Sequence, residues 1–193
     1  AMEGIVLQGK WKAWNDYVTQ TAFYQSRINL YKDKIADLEK QVAKFRDPVH
    51  LQSEIQSYRD KITWIQGEVQ KLQAIEIEGR QKRSEFDNIR DSGVCKACGR
   101  PLDNQEERNA RLQELDKELQ DLTQRWTTQN EYIKSHIGDP SKVIGECNTA
   151  MARVMSEKSI QDRTKNELSQ AKTNLTREEN NLKNLGQAPE KDS

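Results

Sequence analysis

Apolar residues recur along most of the chain at alternating spacings of three and four residues. This is the pattern of a coiled-coil seam, in which one stripe of each helix packs against a partner helix. It predicts four helices, the last with polar residues at some seam positions. The seam residues are Trp14, Tyr17, Thr21, Tyr24, Ile28, Tyr31, Ile35, Leu38, Val42 and Phe45; then Leu51, Ile55, Tyr58, Ile62, Ile65, Val69, Leu72 and Phe86; then Leu112, Leu115, Leu119, Leu122, Trp126 and Ile133; and finally Cys147, Ala150, Val154, Leu168, Ala171, Leu175, Leu182 and Leu185.

Two Asp-Pro pairs, Asp47-Pro48 and Asp139-Pro140, interrupt this pattern. Aspartate is a favoured N-cap, and proline is favoured at the first helical position, so each pair predicts that one helix stops and another begins. The first proline lies 47 residues before Cys95, and the second lies 42 residues after Cys98. If the chain folds back at the cysteines, the two breaks differ in height by only about 7 Å at 1.5 Å per residue. We therefore expect an all-α, antiparallel coiled-coil hairpin with an elbow midway along each arm.

The turn of the hairpin has its own signals. Ser92-Gly93 is suited to end a helix, because glycine adopts the left-handed conformation that follows a helix C-terminus. Pro101 delays the next helix, and Asp103 with Glu106 resembles a capping box. The predicted organisation is an ascending arm (1–92, break near 46–48), a tip loop (93–102), a descending arm (103–186, break near 138–140) and a disordered tail (187–193).

Composition favours a rod over a globule. Only 34% of the residues are hydrophobic and 32% are charged, which is enough for one apolar stripe per helix but not for a round core. Acidic and basic residues balance at 31 each, so we expect no nucleic-acid binding along the arms. The apolar runs are far shorter than the roughly 20 residues that cross a bilayer, and no signal peptide is evident. We expect a soluble, intracellular protein.

The tip loop contains Cys95 and Cys98, a CxxC pair with the spacing of two ligands of a tetrahedral zinc site. One chain offers no obvious third ligand. Cys147 falls on the helical seam and is expected to be a buried core residue. His50 and His136 lie near the breaks, about 60 Å from the tip if the helices are straight. The other two ligands are therefore expected from a second chain, giving a homodimer with one Zn²⁺. An unliganded or redox-active tip is the alternative, although no strand pattern supports a thioredoxin-like fold.

No catalytic constellation is apparent. Gly4–Lys10 spells most of a P-loop, but Trp11 stands where that motif requires Ser or Thr, and no strand precedes it. We expect neither nucleotide binding nor enzymatic activity from this chain.

The tip reads Cys95-Lys96-Ala97-Cys98-Gly99-Arg100-Pro101-Leu102. This C-x-x-C-G-R-P-L sequence resembles the zinc hook of the Rad-fifty/SbcC family, SMC-like ATPases of DNA double-strand-break repair. Lys96 departs from the family, which usually has proline there. The resemblance implies that two hooks share one zinc ion. It also implies that the arms lead to ATPase heads that bind a nuclease subunit and DNA, in the nucleus of a eukaryote or the cytoplasm and nucleoid of a prokaryote or phage.

The remaining loop residues can support such a site. Gly99 lets the backbone turn so that its amides approach sulfur, and Lys96 and Arg100 bring positive charge to the thiolates. Leu102 is expected to pack the loop onto the helix ends. The alternative function is a coiled-coil scaffold or adaptor without shared metal, and a third is a redox-responsive linker with intermolecular disulfides.

Three apolar residues, Phe23, Leu30 and Trp64, fall outside the seam. We expect them to be exposed, or else to mark contacts between the arms of paired molecules.

Overall fold

The computed structural model describes residues 2–95, 98–101 and 104–190, and it confirms the all-α prediction. The helices are α1 (Met2–Val42), α2 (Pro48–Ser92), α3 (Gln105–His136) and α4 (Pro140–Asn184). The chain forms two compact units: unit 1 comprises Ala1–Leu51 and Met155–Ser193, and unit 2 comprises Gln52–Val154. In the described part of the chain, no helix is both long and apolar enough to cross a membrane.

The predicted seams are confirmed, because every residue assigned to them is buried or half-buried. Between Trp14 and Phe45, the intervening residues are exposed with the single exception of Arg27. One stripe of each helix therefore supplies the packing, as the low apolar content of the chain requires. Sequence reasoning missed Ile89, which is completely buried.

In unit 1, α1 and α4 are antiparallel. Their cross-helix ion pairs show it, because the residue number in α4 falls as that in α1 rises. The pairs are Arg27 with Glu178 at 3.2 Å and Glu39 with Lys172 at 2.8 Å. Arg46, just beyond the end of α1, continues the trend with Glu157 at 2.6 Å.

In unit 2, α2 and α3 are antiparallel by the same criterion and form a helical hairpin. The cross-helix contacts are Glu68 with Gln129 at 2.8 Å, Glu76 with Trp126 at 3.0 Å, Lys82 with Glu118 at 2.9 Å, and Glu85 with Arg111 at 2.7 Å.

Both helix breaks occur at the Asp-Pro pairs. At the first, the Val49 N–H donates to Asp47 Oδ1 at 2.9 Å, so the aspartate caps α2. At the second, α3 ends at His136, Gly138 follows with a φ of 84° that suits a glycine, and the Lys142 N–H donates to Asp139 Oδ1 at 3.2 Å. The local chemistry of the breaks was therefore predictable from sequence.

The expected height of the breaks was wrong. Arg46, at the first break, binds the Glu157 carboxylate, and its carbonyl accepts a hydrogen bond from Gln161 Nε2 at 3.0 Å. Glu157 lies 17 residues beyond Pro140 in α4, so the first break faces the middle of that helix. The predicted height assumed that the helices lie equally far from the cysteines on both sides. In the structure, α2 ends at Ser92, three residues before Cys95, whereas α3 begins at Gln105, seven residues after Cys98. Residues 137–139, outside any helix, shift the register further.

Two other features complete the chain. Residues 185–190 follow α4 outside any helix, and the rest of the predicted tail, 191–193, lies outside the described residues. Phe23, Leu30 and Trp64 are 54%, 65% and 39% exposed, as expected for positions that face away from the seam.

Candidate metal centre

The tip begins where α2 ends at Ser92-Gly93, as predicted. The Ser92 hydroxyl donates to the Asn88 carbonyl at 2.6 Å, and the Gly93 N–H donates to the Ile89 carbonyl at 3.0 Å. Gly93 has a φ of 69°, a left-handed conformation that costs glycine little. The bond from Gly93 occupies a carbonyl that the end of the helix would otherwise leave without a partner.

The far side of the tip is capped by a different residue from the one predicted. Asn104 is the N-cap of α3, and its side chain accepts a hydrogen bond from the Glu106 N–H at 2.9 Å. The predicted capping box gave this role to Asp103, which lies outside the described residues. Asparagine and aspartate cap about equally well, so propensity could not separate two adjacent candidates.

Backbone hydrogen bonds fold the tip loop back on itself. Val94 and Pro101 form an antiparallel bridge. The Cys95 N–H donates to the Arg100 carbonyl at 2.9 Å, and the Gly99 N–H donates to the Cys95 carbonyl at 2.7 Å. Gly99 has a φ of 67°, which allows this tight turn. The turn therefore holds the backbone of Cys95 against the residues that directly follow Cys98.

The two thiols of the loop differ in exposure. Cys98 is exposed and Cys95 is half-buried. A hydrogen bond from the Arg100 backbone N–H lowers the pKa of the Cys98 thiol, and hydrogen bonds from the Cys95 thiol and the Arg100 side chain lower it further. Donors that stabilise a thiolate in this way also favour its use as a metal ligand.

The structure thus brings Cys95, Cys98, Gly99, Arg100 and Pro101 together within the loop. The turn at Gly99 was expected to let backbone amides approach sulfur, and the amide of Arg100 hydrogen-bonds to Cys98, while the amide of Gly99 itself binds the Cys95 carbonyl. Lys96 and Leu102, to which the sequence assigned charge and packing roles, lie outside the described residues.

The loop offers two soft sulfur ligands from one chain. Among residues 2–95, 98–101 and 104–190, no group of three or more His, Cys, Asp or Glu side chains is placed to hold a metal ion. Cys147 is buried in the seam, as predicted, with 5% of its surface exposed. His136 stacks on Tyr132 with ring centroids 4.1 Å apart, and His50 is exposed in the first turn of α2. The donor set fits half of a tetrahedral thiolate site.

The segment Gly4–Lys10 lies inside α1. A P-loop wraps phosphate with an irregular, glycine-rich backbone, which a regular helix does not provide. This agrees with the sequence argument against nucleotide binding.

Sequence reasoning missed a cationic residue at the base of the loop. Arg108, in the first turn of α3, donates through Nε to the Ile89 carbonyl at 3.0 Å and through a terminal nitrogen to the Arg90 carbonyl. The chain carries 31 Lys and Arg residues, and nothing in its pattern distinguishes the one that reaches a neighbouring helix end.

Comparison with protein-family models, characterised proteins and solved structures finds no significant match to this chain.

Proposed function

We propose that this chain is a zinc-mediated dimerisation module in which Cys95 and Cys98 of two copies hold one shared zinc ion. The observation that carries the proposal is the pairing of the two thiols in the tip loop. The Cys98 sulfur accepts hydrogen bonds from the Arg100 amide and the Cys95 thiol, and the pKa of Cys98 is lowered. Two thiolates from each chain complete the tetrahedron that structural zinc prefers.

The parent protein that fits this module best is an SMC-like ATPase of DNA double-strand-break repair. Support comes from the C-x-x-C-G-R-P-L sequence at the turn between two antiparallel helices, which resembles the hook of the Rad-fifty/SbcC family. In such a protein, ATPase heads outside this chain bind the nuclease subunit and DNA inside the cell, and this segment has no catalytic role of its own. Its role is to tether two complexes.

Zinc also suits the electrostatics of the loop. Four thiolates around one Zn²⁺ leave a formal charge of −2, and the Arg100 side chain lies close enough to hydrogen-bond to Cys98. The two copies together bring two such guanidinium groups to the site. The metal supplies the link between chains, while the loop supplies the position and ionisation of its ligands.

Cysteine replacement tests this function directly. Cys95→Ser and Cys98→Ser should each lower bound zinc and the dimer fraction together, because the metal site exists only in the dimer. Cys147→Ser is the matched control, since that thiol is buried in the seam, and it should alter neither quantity. Metal content by elemental analysis and mass by light scattering give the two readouts.

Two outcomes would contradict the proposal. Dimers that persist in both tip variants would favour a scaffold whose chains pair along their arms. Dimers that dissolve in reductant but ignore a chelator would favour a linker joined by disulfides.

A further inference from the structure

Arg108 joins the two helices at the base of the tip loop. It lies in the first turn of α3 and donates to the Ile89 and Arg90 carbonyls, in the last turn of α2. The same guanidinium lies against Gly93, where an added Cβ would stand 3.6 Å from Arg108 Nη1. One side chain therefore spans the gap between the helices.

The chemistry of this contact is specific to arginine. The last carbonyls of a helix lack intrahelical donors, and here two successive carbonyls receive donors from one planar group. A guanidinium presents several N–H groups in a rigid fork, whereas a lysine ammonium is a compact charge on a flexible stem. Ile89, beneath the contact, is completely buried, so Arg108 binds α2 at a residue that packs in the seam. The clamp formed by these hydrogen bonds of Arg108 therefore ties the start of α3 to the last packed turn of α2.

We propose that Arg108 is a positioning residue of the metal centre. The clamp lies only a few residues from the ligands: Gly93 follows α2, Val94 pairs with Pro101, and Cys95 comes next. By holding the end of α2 against the start of α3, Arg108 fixes both ends of the loop that carries Cys95 and Cys98. The thiols are then held as a pair before metal arrives. This inference rests on the proposed function, since it assigns the clamp a role in metal binding.

Arg111 offers a matched control one turn further along α3. It binds the Glu85 carboxylate at 2.7 Å, so it also joins the two helices, but through side chains and away from the loop backbone. Replacing Arg111 removes a cross-helix contact made by the same kind of side chain. It leaves the hydrogen bonds of Arg108 to the end of α2 in place.

The experiment measures Co²⁺ affinity by the thiolate-to-metal absorption band, with Zn²⁺ affinity by competition. Arg108→Gln should weaken binding about 10- to 100-fold, the usual effect of removing a group that orients metal ligands. Arg108→Lys should recover only part of this loss, and Arg111→Gln should stay within about twofold of the wild type. Saturated Arg108→Gln protein should still hold one metal per two chains. Unchanged affinity in Arg108→Gln, or an equal loss in Arg111→Gln, would overturn the proposal.

Amide hydrogen exchange in the presence of a chelator separates this inference from the proposed function. The Cys95 and Gly99 amides are hydrogen-bonded within the loop, so Arg108→Gln should speed their exchange while Arg111→Gln should not. If wild-type chains share zinc as proposed but Arg108→Gln changes neither affinity nor exchange, the positioning role of Arg108 is refuted and the proposed function stands. A wild-type chain that binds no shared metal would remove the proposed function and the positioning role together, even if exchange showed that Arg108 orders the loop.

Discussion

The two units fill their seams with different chemistry. Among the described residues, unit 2 has three completely buried aliphatic side chains, Ile65, Ile89 and Leu115, whereas unit 1 has one, Leu51. Unit 1 leaves most of its seam half-buried and places Gln161 and Glu178 among its buried residues, only 1% and 4% exposed. Gln161 Nε2 donates to the Arg46 carbonyl, but within the described part of the chain its Oε1 has no hydrogen-bond partner.

This contrast indicates which unit gains more stability from its buried side chains. Buried aliphatic surface contributes to stability without requiring partners, whereas a buried polar atom without a partner costs free energy. In the described part of unit 2, the buried polar residue is Glu68, which is bound by Lys71 and Gln129. The buried oxygens Asp87 Oδ1 and Glu118 Oε2 have no hydrogen-bond partner there but lie in ion pairs with Arg83 and Lys82. The unit that contains the cysteine loop thus holds more of the completely buried aliphatic side chains, which suits a site that depends on the position of two thiols.

The largest expected effect comes from a matched pair of Leu→Ala replacements. Leu115→Ala removes a completely buried side chain from unit 2 and should cost about 2 to 5 kcal/mol of the free energy of unfolding. Leu175→Ala removes a half-buried one from unit 1 and should cost about half as much, because less surface and less packing are lost. Urea denaturation followed by helical circular dichroism, with chelator present, gives both values. Equal losses would contradict the difference between the units.

A smaller effect on stability is expected from substitutions at Gly79, in unit 2. Gly79 lies within α2 beside a groove of about 370 Å³, lined also by Leu119, Leu122 and Trp126. A Cβ at Gly79 would meet nothing within 4 Å. Gly79→Ala should therefore raise the free energy of unfolding by about 1 kcal/mol through helix propensity.

Filling the groove should add to this gain. Gly79→Leu should be more stable than Gly79→Ala, because the longer side chain covers the apolar wall. Gly67, also in α2 with open space around its Cβ position, controls for propensity, and Gly67→Leu should not exceed Gly67→Ala. If Gly79→Leu gains no more stability over Gly79→Ala than Gly67→Leu gains over Gly67→Ala, the groove beside Gly79 is not a gap in the packing of the seam.

The smallest expected effect is a pH dependence in unit 1. The hydrogen bond from Arg46 holds the pKa of Glu157 below its ordinary 4.5. Since the folded-state pKa is depressed, the stabilisation is complete above pH 4.5 and is lost as the pH falls through the lowered pKa. Glu157→Gln should lower the Tm slightly at pH 7, and its difference from the wild type should vanish once the pH has fallen below the lowered pKa of Glu157. A difference that is constant with pH would show that the charge is not involved.

The sequence predicted the periodic features of the fold and missed those set by single long side chains. The seam is a repeating pattern, and Asp-Pro is a strong local signal, so the helices and both breaks were predictable. The relative height of the breaks was not, because it depends on unequal loop lengths on either side of Cys95 and Cys98.

For the candidate site, the CxxC spacing identified the two thiols but not what surrounds them. Which amide reaches the Cys98 sulfur depends on the turn geometry, and it is that of Arg100 and not of Gly99. The contact of Arg108 with the end of α2 depends on a rotamer that no pattern specifies. Such features require coordinates because several nearby residues could fill each role equally well.

The most direct test of the central claim is the zinc content of the purified protein measured together with its mass in solution. The shared site predicts one zinc per two chains and a mass near twice the 22.4 kDa of a single chain. A chelator should then return the single-chain mass while the helices remain, because the seams contain no metal ligand. One zinc per chain, or a dimer that survives verified removal of zinc, would contradict it.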